Sequence, residues 1–140
     1  MSTDKPILLV EDNPLDVDLT LRAFKRRRVT NTIVVARDGE EALAWIPRWE
    51  AGEPTPAVIL LDLKLPRIDG LEVLRQLKSH ATLCVIPVVV LTTSAEHADV
   101  QAAYQLGANS YIVKPVEFEK FMEVSEKVDL YWTVVNQPPP

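Results

Sequence analysis

Five short apolar runs punctuate the chain: Ile7-Leu8-Leu9-Val10, Ile33-Val34-Val35-Ala36, Val58-Ile59-Leu60-Leu61, Val88-Val89-Val90-Leu91 and Tyr111-Ile112-Val113. They are rich in β-branched side chains, which suit pleated backbone. Within each run the apolar residues are nearly continuous rather than alternating, as expected of strands covered on both faces in a parallel sheet. Between the runs, apolar positions recur every three or four residues, the helical period. Leu15, Leu19, Ala23 and Phe24 predict a first helix, and Ala42, Leu43 and Ile46 a second. Leu71, Val73, Leu74 and Leu77 predict a third, Val100, Ala103 and Tyr104 a fourth, and Phe118, Phe121, Val124 and Val128 a fifth. Pro14 suits a helix's first turn, and Gly107 stands where the fourth helix should stop. The stretch Pro47 to Pro56 reads as a longer connection.

Strand and helix therefore alternate five times, which predicts an α/β fold: a doubly wound, five-stranded parallel sheet with helices on both faces. The 140 residues suit one domain, with a core over about 6–132 and a tail over 133–140 that ends in three prolines. On this reading there is no room for a second, output domain. Fifteen basic against twenty acidic residues leave a net charge of −5, which argues against a nucleic-acid partner. A single cysteine, Cys84, excludes an internal disulfide and suits a reducing compartment. The chain lacks a signal-like N-terminus and any apolar run of roughly 20 residues that would span a membrane. A cytoplasmic protein without membrane partners is expected.

In open α/β sheets, ligands bind beyond the carboxyl ends of the strands. Glu11 and Asp12 follow the first run, Asp62 the third, Thr92, Thr93 and Ser94 the fourth, and Lys114 the fifth. Loops are polar in any protein, so each residue alone says little; the whole set on one edge says more. Asp62 directly follows four apolar residues, at a rim where an unpaired carboxylate is costly. Neighbouring carboxylates raise one another's pKa unless a cation neutralises them. Oxygen donors without His or Cys favour Mg²⁺ over Zn²⁺. Together with a lysine and a threonine hydroxyl, the set suits a phosphoryl group arriving on a carboxylate.

At these positions the sequence resembles a known family. Ile7-Leu8-Leu9-Val10-Glu11-Asp12-Asn13, Leu60-Leu61-Asp62-Leu63-Lys64-Leu65-Pro66, Leu91-Thr92-Thr93 and Tyr111-Ile112-Val113-Lys114-Pro115 are similar to the signatures of response regulator receiver domains, in order and over nearly the whole chain. The resemblance implies a flavodoxin-like receiver fold with strand order 2-1-3-4-5. It implies a phosphoacceptor switch rather than an enzyme, with Asp62 taking a phosphoryl group from a sensor histidine kinase. Asp12 and Asp62 would bind Mg²⁺, with Glu11 acting mainly through water and Lys64 offering its backbone carbonyl. Thr92 and Lys114 would hold the phosphate, and Thr92 and Tyr111 would form the switch. The Lys114–Pro115 bond would be cis, against a general frequency of roughly 5–6% for X-Pro bonds. Glu11 stands where the family often has Asp, and Thr93 where many members have Ala or Gly, a larger side chain that bears on the lifetime of the acyl phosphate.

A narrower likeness is to single-domain regulators that serve phytochrome kinases. It rests on Glu11-Asp12-Asn13-Pro14, the segment Val35 to Ala42, the long connection after the second helix and an aromatic-rich last helix ending near Tyr131-Trp132. On that helix Phe118, Met122 and Trp132 lie beside the stripe Phe121, Val124, Val128 and Tyr131, more apolar surface than one buried face needs. Receiver domains pair through the fourth helix, fifth strand and fifth helix. An isologous homodimer using Phe118, Met122 and Trp132 is therefore expected.

Two other functions compete. Haloacid dehalogenase-type phosphatases also use an aspartyl phosphate after a strand, but they carry a second Asp two residues on, where this chain has Lys64. A flavodoxin-like FMN binder needs a Ser/Thr/Gly-rich phosphate loop after the first strand, where Glu11 and Asp12 would repel phosphate. The run Lys25-Arg26-Arg27-Arg28 reads as a solvated helix end that complements the helix dipole. His80 and His97 read as isolated surface histidines, and Trp45 and Trp49 as packing of the second helix.

Overall fold

Each apolar run is a strand whose alternate side chains serve two different cores. Residues 5–115, 117–129, 131–132 and 136 are described in the structure, a computed structural model; the Phe118 side chain and most of the tail over 133–140 lie outside them. Strands β1 (Ile7–Val10), β2 (Ile33–Ala36), β3 (Val58–Leu61), β4 (Val88–Thr92) and β5 (Ser110–Val113) alternate with helices α1 (Pro14–Arg26), α2 (Gly39–Leu43), α3 (Trp45–Glu50), α4 (Gly70–Ser79), α5 (His97–Gln105) and α6 (Phe118–Asp129). The sheet order is β2-β1-β3-β4-β5 and every neighbouring pair is parallel, as the receiver resemblance implies. Leu8, Val10, Ile59, Leu61, Val88 and Val90 face one side and pack against Trp49, Leu74, Leu77 and Ala103 of α3, α4 and α5. Ile7, Leu9, Val58, Leu60 and Val89 face the other and pack against Val17 and Phe24 of α1 and Val128 of α6.

Capping residues set the helix starts. The Asn13 side chain accepts from the N–H groups of Leu15 at 2.9 Å and Asp16 at 3.3 Å, with Pro14 as first helical residue. Asp38 accepts from Glu41 N–H at 2.7 Å and Asp69 from Glu72 N–H at 3.0 Å. Such caps satisfy N–H groups that the helix itself leaves unpaired. Gly107, at φ +104°, ends the stretch after α5 as expected.

The second helix departs from the expectation. It divides at Ala44 into α2 and α3, so part of the supposed connection after Ile46 is helical. The cause is Pro47, which has no N–H to offer the Leu43 carbonyl one turn earlier. Trp45 and Trp49 stack with centroids 6.0 Å apart, and the Arg48 guanidinium lies 3.9 Å from the Trp45 ring centre. Periodicity also overstated two core positions: Leu15 is 64% exposed and Tyr104 50%. His80 is no isolated surface histidine. Its Nε2 lies 3.0 Å from Glu50, and its Nδ1 accepts from the N–H groups of Thr82 and Leu83, capping the short 3₁₀ turn Leu83–Val85.

Two glycines let the loop after β3 close tightly. A Cβ on Gly70 would stand 2.3 Å from the Asp62 carbonyl oxygen and 2.5 Å from Leu63 Cα. A Cβ on Gly39 would stand 1.9 Å from the Ile68 carbonyl oxygen. Backbone cannot step aside as a flexible side chain can. Gly70→Ala is expected to cost about 3 kcal/mol, at the upper end of overpacking penalties. A urea midpoint unchanged from wild type would refute this.

Candidate functional site

The strand ladders run one residue past three strand ends, and there the polar residues sit. Glu11 N–H donates to Ala36 O at 2.9 Å, Asp62 N–H to Val10 O at 3.0 Å, and Lys114 N–H to Thr92 O at 2.7 Å. The backbones of Glu11, Asp62 and Lys114 are thereby anchored in the sheet. Their side chains converge: the Lys114 ammonium contacts Glu11 Oε1, lies 2.9 Å from Asp16 Oδ2 and 3.1 Å from Asp62 Oδ2. The Lys114 residue is 5% exposed, and Glu11 and Asp62 are also buried. Asp12 is exposed. Glu11, Asp12 and Asp62 can each bring one carboxylate oxygen within 4.8 Å of the others.

Burial drives the Glu11 carboxyl up to about 7, against the pull of Lys114 and with the Asp62 charge adding to the rise. Burial works to lower Lys114, but the Glu11 hydrogen bond, the charges of Asp62 and Glu11 and the Asp16 hydrogen bond outweigh it and hold the ammonium above its ordinary value. One ammonium thus serves three carboxylates, with a fourth at the rim. The remaining Asp62 oxygen, Oδ1, accepts from Lys64 N–H at 3.2 Å. Asn13 N–H donates to Glu11 Oε2 at 3.1 Å.

Thr92 ends β4 fully buried, and its Oγ1 accepts from Ser94 N–H at 3.5 Å. The Tyr111 hydroxyl donates to Ser94 O at 2.8 Å. The two expected switch residues therefore meet through Ser94 rather than directly. Thr93 is exposed.

Asp16 is the member of the cluster that the sequence did not disclose. An acid in the first turn of a helix ordinarily complements the dipole, which hides its second role beside Lys114. Its position four residues after Asp12, just inside α1, was the available signal.

Three expectations fail or fall outside. The Lys114–Pro115 bond is trans, since no cis peptide bond occurs among the described residues. Lys114 Nζ reaches the carboxylates while its N–H continues the ladder, so the backbone need not adopt the disfavoured isomer. Met122 is 2% exposed, buried on the flank of α6 that lines a hollow with Arg22, Lys25 and Arg26 of α1. Trp132 packs against the core shared by α1 and α6. Much of the apolar surface of α6 is thus used within one chain; Met122 is not available to a second copy, whereas Trp132 is only partly buried. The Phe118 side chain lies outside the described residues.

Comparison with known proteins adds to this geometry. Residues 7–126 match the response regulator receiver domain. The chain is 45% identical over 134 residues to the probable methanogenesis regulatory protein FilR2 of Methanothrix harundinacea (strain 6Ac), covering 95% of this chain and 86% of that protein. It is 38% identical over 130 residues to response regulator Rcp1 of Synechocystis sp. (strain ATCC 27184 / PCC 6803 / Kazusa), covering 91% and 88%. A crystal structure of Rcp1 in its Mn²⁺-bound form matches at TM-score 0.90 and 36% identity, covering 97% of this chain and 99% of that one. The crystal structure of the phosphorylated cyanobacterial phytochrome response regulator RcpA matches at TM-score 0.92 and 38% identity, covering 99% and 100%.

Proposed function

This chain belongs to the response regulator receiver domain family, and on that premise we propose that Asp62 is its phosphoacceptor. As a response regulator it works in two-component signal transduction, with a histidine kinase as partner. The observation that carries the assignment is the Asp62 carboxylate: buried, with its backbone bonded into the sheet and Lys114 Nζ 3.1 Å from Oδ2.

In the transfer, an Asp62 oxygen attacks phosphorus while the P–N bond to the kinase imidazole breaks. The imidazole leaves with the bonding electrons and takes up a proton, and a mixed anhydride remains on Asp62. Lys114 orients the carboxylate beforehand and pairs with a phosphoryl oxygen afterwards. Thr92 then turns toward that phosphoryl group, and Tyr111 follows. The donors Glu11, Asp12 and Asp62 are all oxygen, and their close approach fits a hard divalent cation, Mg²⁺; the Lys64 carbonyl would be a further ligand. When bound, Mg²⁺ supplies charge neutralisation for phosphoryl oxygens. Asp12→Ala should bind Mg²⁺ at least several-fold more weakly, read by NMR titration of the site amides; equal affinity would remove Asp12 from the ligands.

The donor is read as a sensor kinase of the phytochrome type, which the likeness to RcpA supports. Homodimer formation is read onto the exposed apolar residues of α5 and β5, Tyr104 and Val113, the latter 42% exposed. A sedimentation profile that stays monomeric at micromolar concentration, with and without a phosphate mimic, would remove the dimer.

Incubation of the full chain with acetyl phosphate and Mg²⁺ tests the central reading. One hydroxylamine-sensitive phosphoryl group per chain is expected. Many turnovers of phosphate esters would instead favour the dehalogenase-type reading.

A further inference from the structure

Ser94 is tethered on three sides. Its carbonyl accepts from the Tyr111 hydroxyl at 2.8 Å, its N–H donates to Thr92 Oγ1 at 3.5 Å, and its hydroxyl donates to Asp99 Oδ2 at 2.5 Å while accepting from Glu96 N–H at 3.4 Å. Asp99 stands in the first turn of α5 and is largely buried. The same oxygen, Oδ2, lies 3.6 Å from Lys64 Nζ. Lys64 in turn follows the phosphoacceptor by two residues and bonds Asp62 Oδ1 through its backbone. One carboxylate oxygen therefore joins the loop after β3 to the loop after β4. Asp12, Lys64 and Asp99 line one cavity of about 380 Å³ beside the site.

We propose that Asp99 is a positioning residue that clamps Ser94 and so holds Thr92 with its Oγ1 on the Ser94 N–H, acting through the loop and not on the reacting atoms. The inference rests on the reading of Asp62 as phosphoacceptor and Thr92 as switch hydroxyl. For Thr92 to turn toward Asp62, its Oγ1 must leave the Ser94 N–H, and the loop must shift relative to α5. The Asp99–Ser94 bond opposes that shift. It has an ionised acceptor, which makes it stronger than a neutral hydrogen bond. Removing it moves the population toward the geometry that receives a phosphoryl group.

The test is the rate of labelling of the full chain by acetyl phosphate with Mg²⁺, for wild type, Asp99→Ala, Asp99→Asn, Ser94→Ala and the double alanine variant. Asp99→Ala and Ser94→Ala should each be labelled about tenfold faster, the lower end of what one charge-assisted hydrogen bond can shift. The double variant should be no faster than either single variant, because both remove the same bond. Asp99→Asn, which keeps an acceptor for the Ser94 hydroxyl and is the arm safest for folding, should fall between. Ser94→Ala leaves the Lys64–Asp99 pair intact, so its acceleration separates the clamp from freeing of the Lys64 charge. Rates at or below wild type in both alanine variants, or strictly additive accelerations, overturn the clamp. Failure of wild type itself to be labelled would overturn the phosphoacceptor reading, and the clamp with it.

Discussion

Asp62→Asn is expected to take up no phosphoryl group from acetyl phosphate or from a kinase, while remaining folded. The amide nitrogen and oxygen occupy nearly the same volume as the carboxylate. The side chain can still accept the Lys64 N–H that Oδ1 accepts at 3.2 Å. The backbone bond to Val10 O is untouched. Lys114 keeps Glu11 and Asp16 as partners. What disappears is the anionic nucleophile, since an amide cannot form the mixed anhydride. One charge fewer in a crowded acidic cluster also relieves repulsion, so the melting temperature should stay close to that of wild type. Intact-mass measurement after exposure to acetyl phosphate gives the answer directly. A full adduct on the Asn variant would move the acceptor elsewhere, with the exposed Asp12 next in line.

Lys114→Met should produce the largest loss of stability. The methionine keeps an unbranched stem but removes the ammonium that contacts Glu11, Asp16 and Asp62. Glu11 and Asp62 are then buried acids without a counter-charge. Removing one partner of a buried ion pair costs about 3–5 kcal/mol. In a domain of this size each kcal/mol moves the melting temperature by roughly 2–4 °C, so a fall of about 10 °C is expected in the presence of a chelator. Saturating Mg²⁺ should recover part of it, because a ligand that binds only the folded state stabilises it. Glu11, already held at about 7 beside Lys114, takes up a proton at neutral pH once the ammonium is gone, so Glu11→Gln added to Lys114→Met should change the melting temperature little. Equal melting temperatures for Lys114→Met and wild type in chelator would show that Lys114 does not neutralise the cluster.

The sheet was legible because near-continuous runs such as Val58 to Leu61 can be stable only if both faces are covered, and the two cores do cover them. The order of the strands was not legible from periodicity, which carries no information about which strand lies beside which; the family resemblance supplied it. The site was legible because its residues directly follow strands, where the chain has one direction to go. Asp16 escaped because its partner is 98 residues away and its local role at a helix start is a sufficient explanation. Asp99 escaped because an acid in the first turn of a helix is likewise explained by its local role. Leu15 and Tyr104 match the helical period yet face solvent, since period reports the spacing of apolar residues and not what covers them. Met122 misled in the opposite sense: an adjacent apolar line on a helix looks free until a second helix, here α1, is packed along it.

The anchoring of Glu11, Asp62 and Lys114 by strand-type backbone bonds has a mechanical meaning. The Asp62 amide extends the central β1–β3 ladder, with those of Glu11 and Lys114 extending the outer ladders on either side, so it can exchange with solvent only when the sheet opens, among the slowest events of the native state. The acceptor therefore cannot move in response to its own modification. Everything that yields must belong to the connections beyond the ladder, where Ser94 and Lys64 lie. The fold behaves as a stiff bench with a compliant rim: charge is deposited at a fixed point, and displacement is registered at the edge.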